Sequence, residues 1–475
     1  MPSLRLREPV AAAPRDRSFW LQDAGADPAT PPLEGTEHAE IAIVGGGFTG
    51  LWTALRIKEQ APEARVIVLE ADFCGSGASG RNGGQAHSWF AELDRFGAVV
   101  GADEARRLCA ASADAIAELE ALQRSGTIDM DLRLDGWLWT ASSKAQEGAW
   151  DAAVALTEAI EPGRFRRLGA DEIERRTGSR TSYVGVVEEK AGTVHPAKLA
   201  LGLRRLALAQ GVVIHERSPV RDIAPGRTCI LRTARGAVRA EKVVLAANAW
   251  LAALPELGRY LYVVGSQVIA TAAAPDRLDR LGWRDGASIC DSQAQVLYYQ
   301  RTPGGRVIFG RGSGELAFGA RIGATFNRSP QHGSGNLREL HRVYPALRDL
   351  KVEHDWAGPI DCTAEHVPGF GPLRGHPNIV FGIGFNGTGI AQTPVGGRIL
   401  ASLVLEREDC WSRSGLVGLE RRTGLAPEPF RYLGGRLVRA AVRRRNEAEI
   451  RDRSADAVTR YISGLTPGSR ARKPE

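Results

Sequence analysis

The stretch Ile41-Ala42-Ile43-Val44-Gly45-Gly46-Gly47-Phe48-Thr49-Gly50-Leu51 decides how the chain is read. Ile41, Ile43 and Val44 form the short apolar run of a buried strand, and three glycines stop it. Leu51, Ala54, Leu55 and Ile57 then recur at helical spacing. Gly45, Gly47 and Gly50 keep the G-x-G-x-x-G spacing. There the first glycine permits a tight turn, the second lets backbone approach a pyrophosphate, and the third lets helix pack closely on strand. Phe48 and Thr49 open the helix, whose free N–H groups and partial positive charge favour phosphate. A second apolar run, Val66-Ile67-Val68-Leu69, ends in Glu70-Ala71. Glu70 stands about where the acid that holds a ribose hydroxyl is expected. Strand, glycine turn, helix, strand and acid make one βαβ unit, and the unit implies a bound dinucleotide.

Two further glycine-rich runs lie outward from this unit. Cys74-Gly75-Ser76-Gly77-Ala78-Ser79-Gly80-Arg81-Asn82-Gly83-Gly84-Gln85 holds five glycines in twelve residues. It is too glycine-rich for a regular packed element and suits backbone lying flat against a ligand, with Arg81 as a phosphate or ring contact. Ile379 to Ile383 is followed by Gly384-Phe385-Asn386-Gly387-Thr388-Gly389-Ile390 and a helix carrying Val395, Ile399, Leu400, Leu403 and Val404. No ribose acid follows, so this is not a second nucleotide site. A helix start here would stabilise negative charge on a reduced ring.

Residues 1–37, rich in Pro, Ala and charge, read as an irregular arm in which Ser18-Phe19-Trp20 is an anchor. Helices are expected over 102–124, 144–160 and from His195-Pro196 to Leu208, and strands over 134–140, 180–188, 212–214, 220–223 and 238–247. The last ends in Ala247-Asn248-Ala249-Trp250. Residues 295–301 and 306–310 form a hairpin about Thr302-Pro303-Gly304-Gly305.

At 475 residues the chain is expected to hold two or more domains. No apolar stretch is long enough to span a bilayer, and residues 1–14 lack the apolar core of a secretory signal. The six cysteines are scattered with no Cys-x-x-Cys pair, which indicates neither zinc nor a redox dithiol but reduced thiols in a cytoplasmic enzyme. The histidines show no ligand spacing, and no metal is expected. The net charge of +7 sits in the tail, where residues 431–475 carry twelve Arg or Lys against five Asp or Glu. Arg436, Arg439, Arg443, Arg444 and Arg445, with Leu437, Val438, Ala441 and Val442 between them, read as a short basic amphipathic helix, solvated and docked on the nucleotide domain. A membrane-surface contact is the other use of such a helix. No aromatic platform accompanies the charge, so no nucleic-acid partner is expected.

The three glycine motifs and the Val-Val-Leu-Ala-Ala-Asn-Ala-Trp strand together resemble the D-amino-acid oxidase superfamily of flavoproteins over most of residues 38–408. Residues 77–85 resemble the motif of γ-glutamylputrescine oxidase-like enzymes. Arg17-Ser18-Phe19-Trp20 and Trp356-Ala357-Gly358-Pro359-Ile360-Asp361 are similar to bacterial aminophosphonate oxidoreductases. The resemblance implies an α/β, Rossmann-like, three-layer FAD-binding domain (38–92, 191–257 and 354–410). An interleaved α+β substrate domain (93–190 and 258–353) roofs the flavin with a mixed sheet, and 411–475 is a basic tail. Gly45, Gly47, Phe48, Thr49 and Gly50 face the pyrophosphate. Glu70, Ala71, Val220, Ala247, Asn248 and Trp250 serve the adenosine end and its surroundings. Gly77, Ala78, Ser79, Arg81, Asn82, Gly83 and Gly84 line the ring, and Asn386, Gly387, Thr388, Gly389 and Ile390 close over its pyrimidine end. No cysteine besides Cys362 lies near Phe385-Asn386-Gly387, so FAD is expected to be non-covalent. The strand 295–301 offers no lysine to activate oxygen, which leaves molecular oxygen or another electron acceptor.

Flavin-dependent amine oxidation needs a positioned amine and a dry site rather than a nucleophile or a metal. The substrate-pocket candidates are His87, Tyr299, Arg301, Arg311 and His366. Arg301 and Arg311, two among many arginines, are candidates because a guanidinium fork fits a phosphonate or carboxylate. The expectation is an FAD-dependent oxidoreductase that deaminates or dealkylates a small amine such as 2-aminoethylphosphonate or its N-methyl form. γ-Glutamylputrescine or another polyamine or amino acid is the alternative within the class. A flavin-binding or RNA-associated flavoprotein without amine turnover is the alternative outside it.

Overall fold

The apolar run of the opening stretch forms the inner end of the strand Gly35–Val44. Its side chains alternate between two cores. Ile41 and Ile43 join one with helix residues Leu51, Trp52 and Leu55, while Ala42 and Val44 join another with Ile223, Leu231, Leu251 and Leu257. Both faces are covered, which is why the run is continuously apolar. In this computed structural model, which describes residues 3–468 except 26, 313 and 419–421, the strand pairs in parallel with Val66–Leu69 on one side and Gly236–Leu245 on the other. Val213–His215 and His376–Ile383 extend the parallel core. Antiparallel strands Leu4–Arg5, Asp222–Ala224, Cys229–Arg232 and Gly369–Leu373 complete a nine-stranded sheet. The helices Phe48–Gln60 and Thr393–Val404 pack closely, since a Cβ at Gly397 would lie 2.9 Å from the Trp52 Cβ.

A second, mixed sheet of eight strands runs in the order Val352–Cys362, Tyr262–Thr271, Val307–Arg311, Leu297–Arg301, Ser288–Asp291, Trp137–Ala141, Val184–Glu188, Phe165–Gly169. The helix Pro330–Val343 covers its far face through Leu340 and Val343, packed with Tyr299, Phe309 and Trp283. Its near face looks toward the glycine runs.

The structure departs from sequence expectation in four places. The arm is not wholly irregular. Leu4–Arg5 joins the first sheet beside Asp222–Ala224, and Ser18 caps the short helix Phe19–Asp23 while donating to the Gly80 carbonyl at 2.5 Å. Trp20 Nε1 donates to the Asn82 carbonyl at 2.8 Å, which pins the arm to the second glycine run. The boundary placed at 354 falls inside Val352–Cys362, a strand of the second sheet. The helix expected over 144–160 is α-helical only over Asp151–Glu158, because Gly148 at φ +74° interrupts it. The tail forms a twenty-residue helix, Phe430–Glu449, packed with Ala457–Ser463. No helix among the described residues is long and apolar enough to cross a membrane.

Candidate functional site

A single cavity of about 1290 Å³ runs between the two sheets and is bordered by all three glycine runs. At one end Gly45 takes φ +111°, and a Cβ there would meet the Ala246 carbonyl at 2.6 Å. A Cβ on Gly50 would lie 1.9 Å from the Gly45 carbonyl, so helix and turn touch backbone to backbone. A Cβ on Gly47 would crowd Ser79 Oγ at 3.0 Å, the atom that accepts the Phe48 N–H at 2.8 Å. Thr49 borders the same space. Glu70 stands at the end of its strand, its carboxylate accepting N–H bonds from Gly46 at 2.7 Å and Asp72 at 3.0 Å. Burial raises its pKa against the pull of these donors. Ala71, Val220, Ala247, Asn248 and Trp250 line this end too. Here is bare backbone with a carboxylate beyond it, a cradle that side chains would fill, and it fits an extended dinucleotide.

The second run is held flat by its own polar groups. Asn82 donates to the Ala78 and Ser79 carbonyls at 3.2 and 2.9 Å and accepts the Gly84 N–H at 2.8 Å. Gly77, Ala78, Ser79, Asn82 and Gly83 face the cavity. Gly84 is positioned behind them, at φ +73° and against Val194 and Gln300. Arg81 borders the cavity, but its Nε is committed to the Ser76 carbonyl at 2.7 Å and its Nη1 to Asn327 Oδ1 at 2.6 Å. Burial lowers its pKa to about 10, still charged at neutral pH. It therefore straps the run to the second sheet's connections. In the third run Gly384, Asn386 and Gly387 all take positive φ. Asn386 Oδ1 accepts the Thr363 N–H at 2.9 Å, and Asp361 accepts the Gly384 N–H at 2.5 Å. Burial pushes Asp361 up to about 6. Asn386, Gly387, Thr388, Gly389 and Ile390 all line the cavity.

The substrate-pocket candidates divide by strand parity. Tyr298 and Gln300 point toward the glycine runs. Gln300 Nε2 donates to the Gly83 carbonyl at 2.6 Å, and a Cβ on Gly83 would strike the Tyr298 ring at 2.7 Å. The Tyr298 hydroxyl lies 2.7 Å from Ser266 Oγ, and burial pushes its phenol up to about 12. Tyr299 is on the other face, 4% exposed, stacked on Phe309 at 5.2 Å and edge-on to Trp283 and Tyr344. Arg301 shares that face and pairs with Asp279 at 2.6 Å. Arg311, opposite Leu297 in the ladder, faces Glu339 of the covering helix at 3.9 Å. Successive side chains in a strand alternate between faces, so one choice of parity put Tyr299, Arg301 and Arg311 outside the cavity together. His87 does line it, stacked on Trp137 at 4.6 Å, with Nδ1 at 3.1 Å from the Ser88 carbonyl. Trp89 turns into the core against Phe96. His366 also lines the cavity, its Nε2 2.9 Å from the Tyr262 hydroxyl, beside the buried Cys362.

Sequence reasoning missed Tyr262, Arg95, Trp139, Gln295 and Arg439, all of which border the cavity. Arg439 alone carried a signal, for it shares a helical stripe with Gly435, Val438 and Val442. No cluster of three or more His, Cys, Asp or Glu placed to hold a metal occurs among the described residues.

Comparison with known proteins agrees with this geometry. Residues 40–403 match the family described as FAD dependent oxidoreductase. A probable oxidoreductase OrdL of Haemophilus influenzae is 30% identical over 400 residues, covering 82% of this chain and 88% of that protein. The gamma-glutamylputrescine oxidoreductase of Escherichia coli K12 is 30% identical over 390 residues, with the same two coverages of 82% and 88%. The crystal structure of glycine oxidase from Geobacillus kaustophilus superposes with a TM-score of 0.63 at 21% identity, over 78% of this chain and 96% of that one.

Proposed function

Because the chain belongs to the FAD-dependent oxidoreductase family, we propose that it oxidises a small amine bearing an anionic group, such as 2-aminoethylphosphonate or its N-methyl form. The observation that carries this is the continuity of the cavity. The space between Glu70 and the first glycine turn opens without a wall into the space beneath Tyr298, beside His87 and Tyr262. A cofactor cradle and a substrate pocket so joined would let donor and acceptor meet.

Bound FAD supplies the two-electron acceptor. The amine gives up a hydride from carbon and a proton from nitrogen, leaving an imine; water then adds and cleaves the C–N bond to a carbonyl compound and an amine or ammonia. The chain's part is to bind, orient and keep the site dry. Trp137, Trp139 and Tyr298 form aromatic walls, and Tyr298 stays a neutral phenol at physiological pH. Cys362, buried and with its thiol raised by burial, favours a cofactor held without a covalent link. The near face of Leu297–Arg301 presents Tyr298 and Gln300 rather than a lysine. Electrons therefore leave either to molecular oxygen or to another acceptor, which reoxidation rates in air and with an artificial acceptor separate.

The likeness to gamma-glutamylputrescine oxidoreductase favours a second reading, a longer polyamine derivative. The test is anaerobic reduction of the bound flavin by a panel of amines, amino acids and aminophosphonates. Bleaching by 2-aminoethylphosphonate and not by γ-glutamylputrescine supports the first reading, and the reverse supports the second. If none bleaches the flavin, amine oxidation is wrong and a binding role remains.

A further inference from the structure

The basic C-terminal helix is a wall of the cavity. Arg431, Gly435, Val438, Arg439 and Val442 form one stripe of Phe430–Glu449 that borders it, while Leu433 and Leu437 face outward, 59% and 57% exposed. Arg431 Nη1 donates to the Gly258 and Leu261 carbonyls at 2.7 and 2.8 Å. Gly435 lets the helix close on Leu316, whose Cδ2 would be 2.8 Å from a Cβ. Further along, Asp452 accepts the Lys144 N–H at 3.1 Å. After Ala457–Ser463 the chain reaches Gly468, where a Cβ would lie 3.1 Å from the His366 ring. The helical pair is thus moored to the second sheet and to the block that carries His366. It also lies beyond the family match, which ends at residue 403.

Arg439 differs from most arginines of this cavity; Arg81 and Arg7 also stand outside the ion pairs, but Arg81 is held by the Ser76 carbonyl and Asn327 Oδ1, and Arg7 is exposed and donates to the Gly319 carbonyl. Arg95 is neutralised by Glu92 at 2.5 Å and Arg445 by Glu449 at 2.5 Å. Arg431 is taken up by backbone carbonyls. Among the described residues, Arg439 bonds through Nη2 alone, to the Gly314 carbonyl, and no carboxylate lies within ion-pair distance of it. Burial lowers its pKa, while Glu315, not paired with it, pulls the other way through space; a guanidinium is not deprotonated in proteins. A guanidinium held in a partly dry wall without a directly paired carboxylate is costly unless a ligand supplies an anion at bonding distance.

We propose that Arg439, delivered by the C-terminal helix, is the receptor for the substrate's anionic group, a phosphonate or a carboxylate. The assignment rests on the amine-oxidation reading for its substrate and on this wall for its chemistry. The guanidinium fork matches two oxygens of either anion at once, so the helix that closes the cavity also selects what enters it.

The test uses the FAD-loaded enzyme and two probes that cannot be oxidised, methylphosphonate and acetate. Binding is read from the perturbed flavin spectrum and by calorimetry. Arg439→Gln should keep its FAD and weaken binding of the preferred anion about 10- to 100-fold, the loss of a charge-assisted pair. Arg439→Lys, which keeps the charge without the fork, should fall between. Arg436→Gln, at an exposed position stacked over Tyr432, should bind as wild type. Tighter binding of methylphosphonate assigns the site to phosphonates, and tighter binding of acetate to carboxylates. Wild-type affinity for both anions in both Arg439 variants overturns the proposal, as does an equal loss in Arg436→Gln. If anion binding needs Arg439 while no amine bleaches the flavin, the receptor stands and amine oxidation falls. If amines bleach it and anion binding ignores Arg439, the receptor falls alone.

Discussion

Replacing Gly50 by alanine tests whether the first glycine turn holds the cofactor as argued. The new Cβ would sit 1.9 Å from the Gly45 carbonyl oxygen and 3.3 Å from Ile43 Cγ2. Carbon and oxygen do not approach much below about 3 Å in a packed interior, so helix and turn must part by about 1 Å. The obstacle is backbone, so no rotamer change relieves it. Such overpacking costs about 1–3 kcal/mol of stability. The N–H groups at the helix start move with it, and losing one charge-assisted bond to phosphate weakens FAD about 10- to 100-fold. Gly97→Ala is the matched control, since nothing lies within 4 Å of a Cβ there and the residue sits in the helix Leu93–Val100. That change should be neutral or stabilise by about 0.5–1 kcal/mol. Fluorescence titration of apoprotein with FAD, and thermal midpoints with and without it, measure both effects. A Gly50→Ala protein with wild-type FAD affinity and midpoint would refute the cradle. An equal loss of FAD in Gly97→Ala would show that general destabilisation, not the turn, controls binding.

Tyr298→Phe breaks the contact with Ser266 under the second sheet and should alter the flavin spectrum and the reduction rate with little change in stability. Tyr299→Ala empties the aromatic cluster on the far face and should cost about 3–5 kcal/mol in denaturant titration while leaving the spectrum alone; the opposite pattern would reverse the parity. Arg204 pairs with Glu216 at 3.0 Å in the interior and donates to the Pro28 carbonyl at 2.9 Å. Arg204→Ala strands that carboxylate, so a loss of about 3–5 kcal/mol and faster proteolysis near residues 27–33 are expected; unchanged cleavage there would separate the pair from the arm. Burial raises Asp361 from 3.8 to about 6 in the folded chain. Both states are protonated well below pH 3.8 and both ionised above pH 6, so stability falls by about 3 kcal/mol as pH rises through that window. Asp361→Asn should gain on wild type at about pH 8 and not at about pH 3. A residual slope from Asp291, also raised to about 6, should remain. A gain independent of pH would assign the effect to hydrogen bonding instead.

The glycine-turn end of the cavity was legible because its demands are local. The turn at Gly45, the contact of Gly50 with Gly45 and the position of Glu70 at its strand end all arise within one βαβ unit, whose residues are neighbours in sequence. The helix 102–124 was equally legible from its apolar spacing, and the structure gives Ala102–Arg124. The substrate end depends on which face of a distant strand turns inward. Tyr298-Tyr299 offers two aromatics of opposite parity, and composition does not choose between them. The choice is made from outside, by Gly310, where a Cβ would lie 2.1 Å from the Tyr298 ring, and by Gly83 beneath it. Glycines on two other segments leave the room that only Tyr298 occupies. Gly310 was inside the predicted hairpin, and its lack of a side chain was the available hint that its cross-strand partner faces the crowded side.

The tail teaches the converse. Twelve basic residues in the last 45 suggest a solvated helix that rests on the nucleotide domain only as a surface. Charge count says nothing of what a residue three turns of helix away is doing. Along Phe430–Glu449 the arginines fall on different sides. Arg436 is exposed, while Arg431 and Arg439 lie on the stripe that faces the cavity, with Gly435 between them. Glycine weakens a helix interior by about 1 kcal/mol relative to alanine; no packing accounts for Gly434, which has nothing within 4 Å of a Cβ, but Gly435 has a reason. The reason is Leu316 at Gly435, and the close approach it allows carries Arg439 one turn on into the wall of the cavity. A basic stripe interrupted by glycine on the same face therefore points to docking rather than to solvent. The substrate end of this enzyme is built from the part of the sequence that composition makes look least specific.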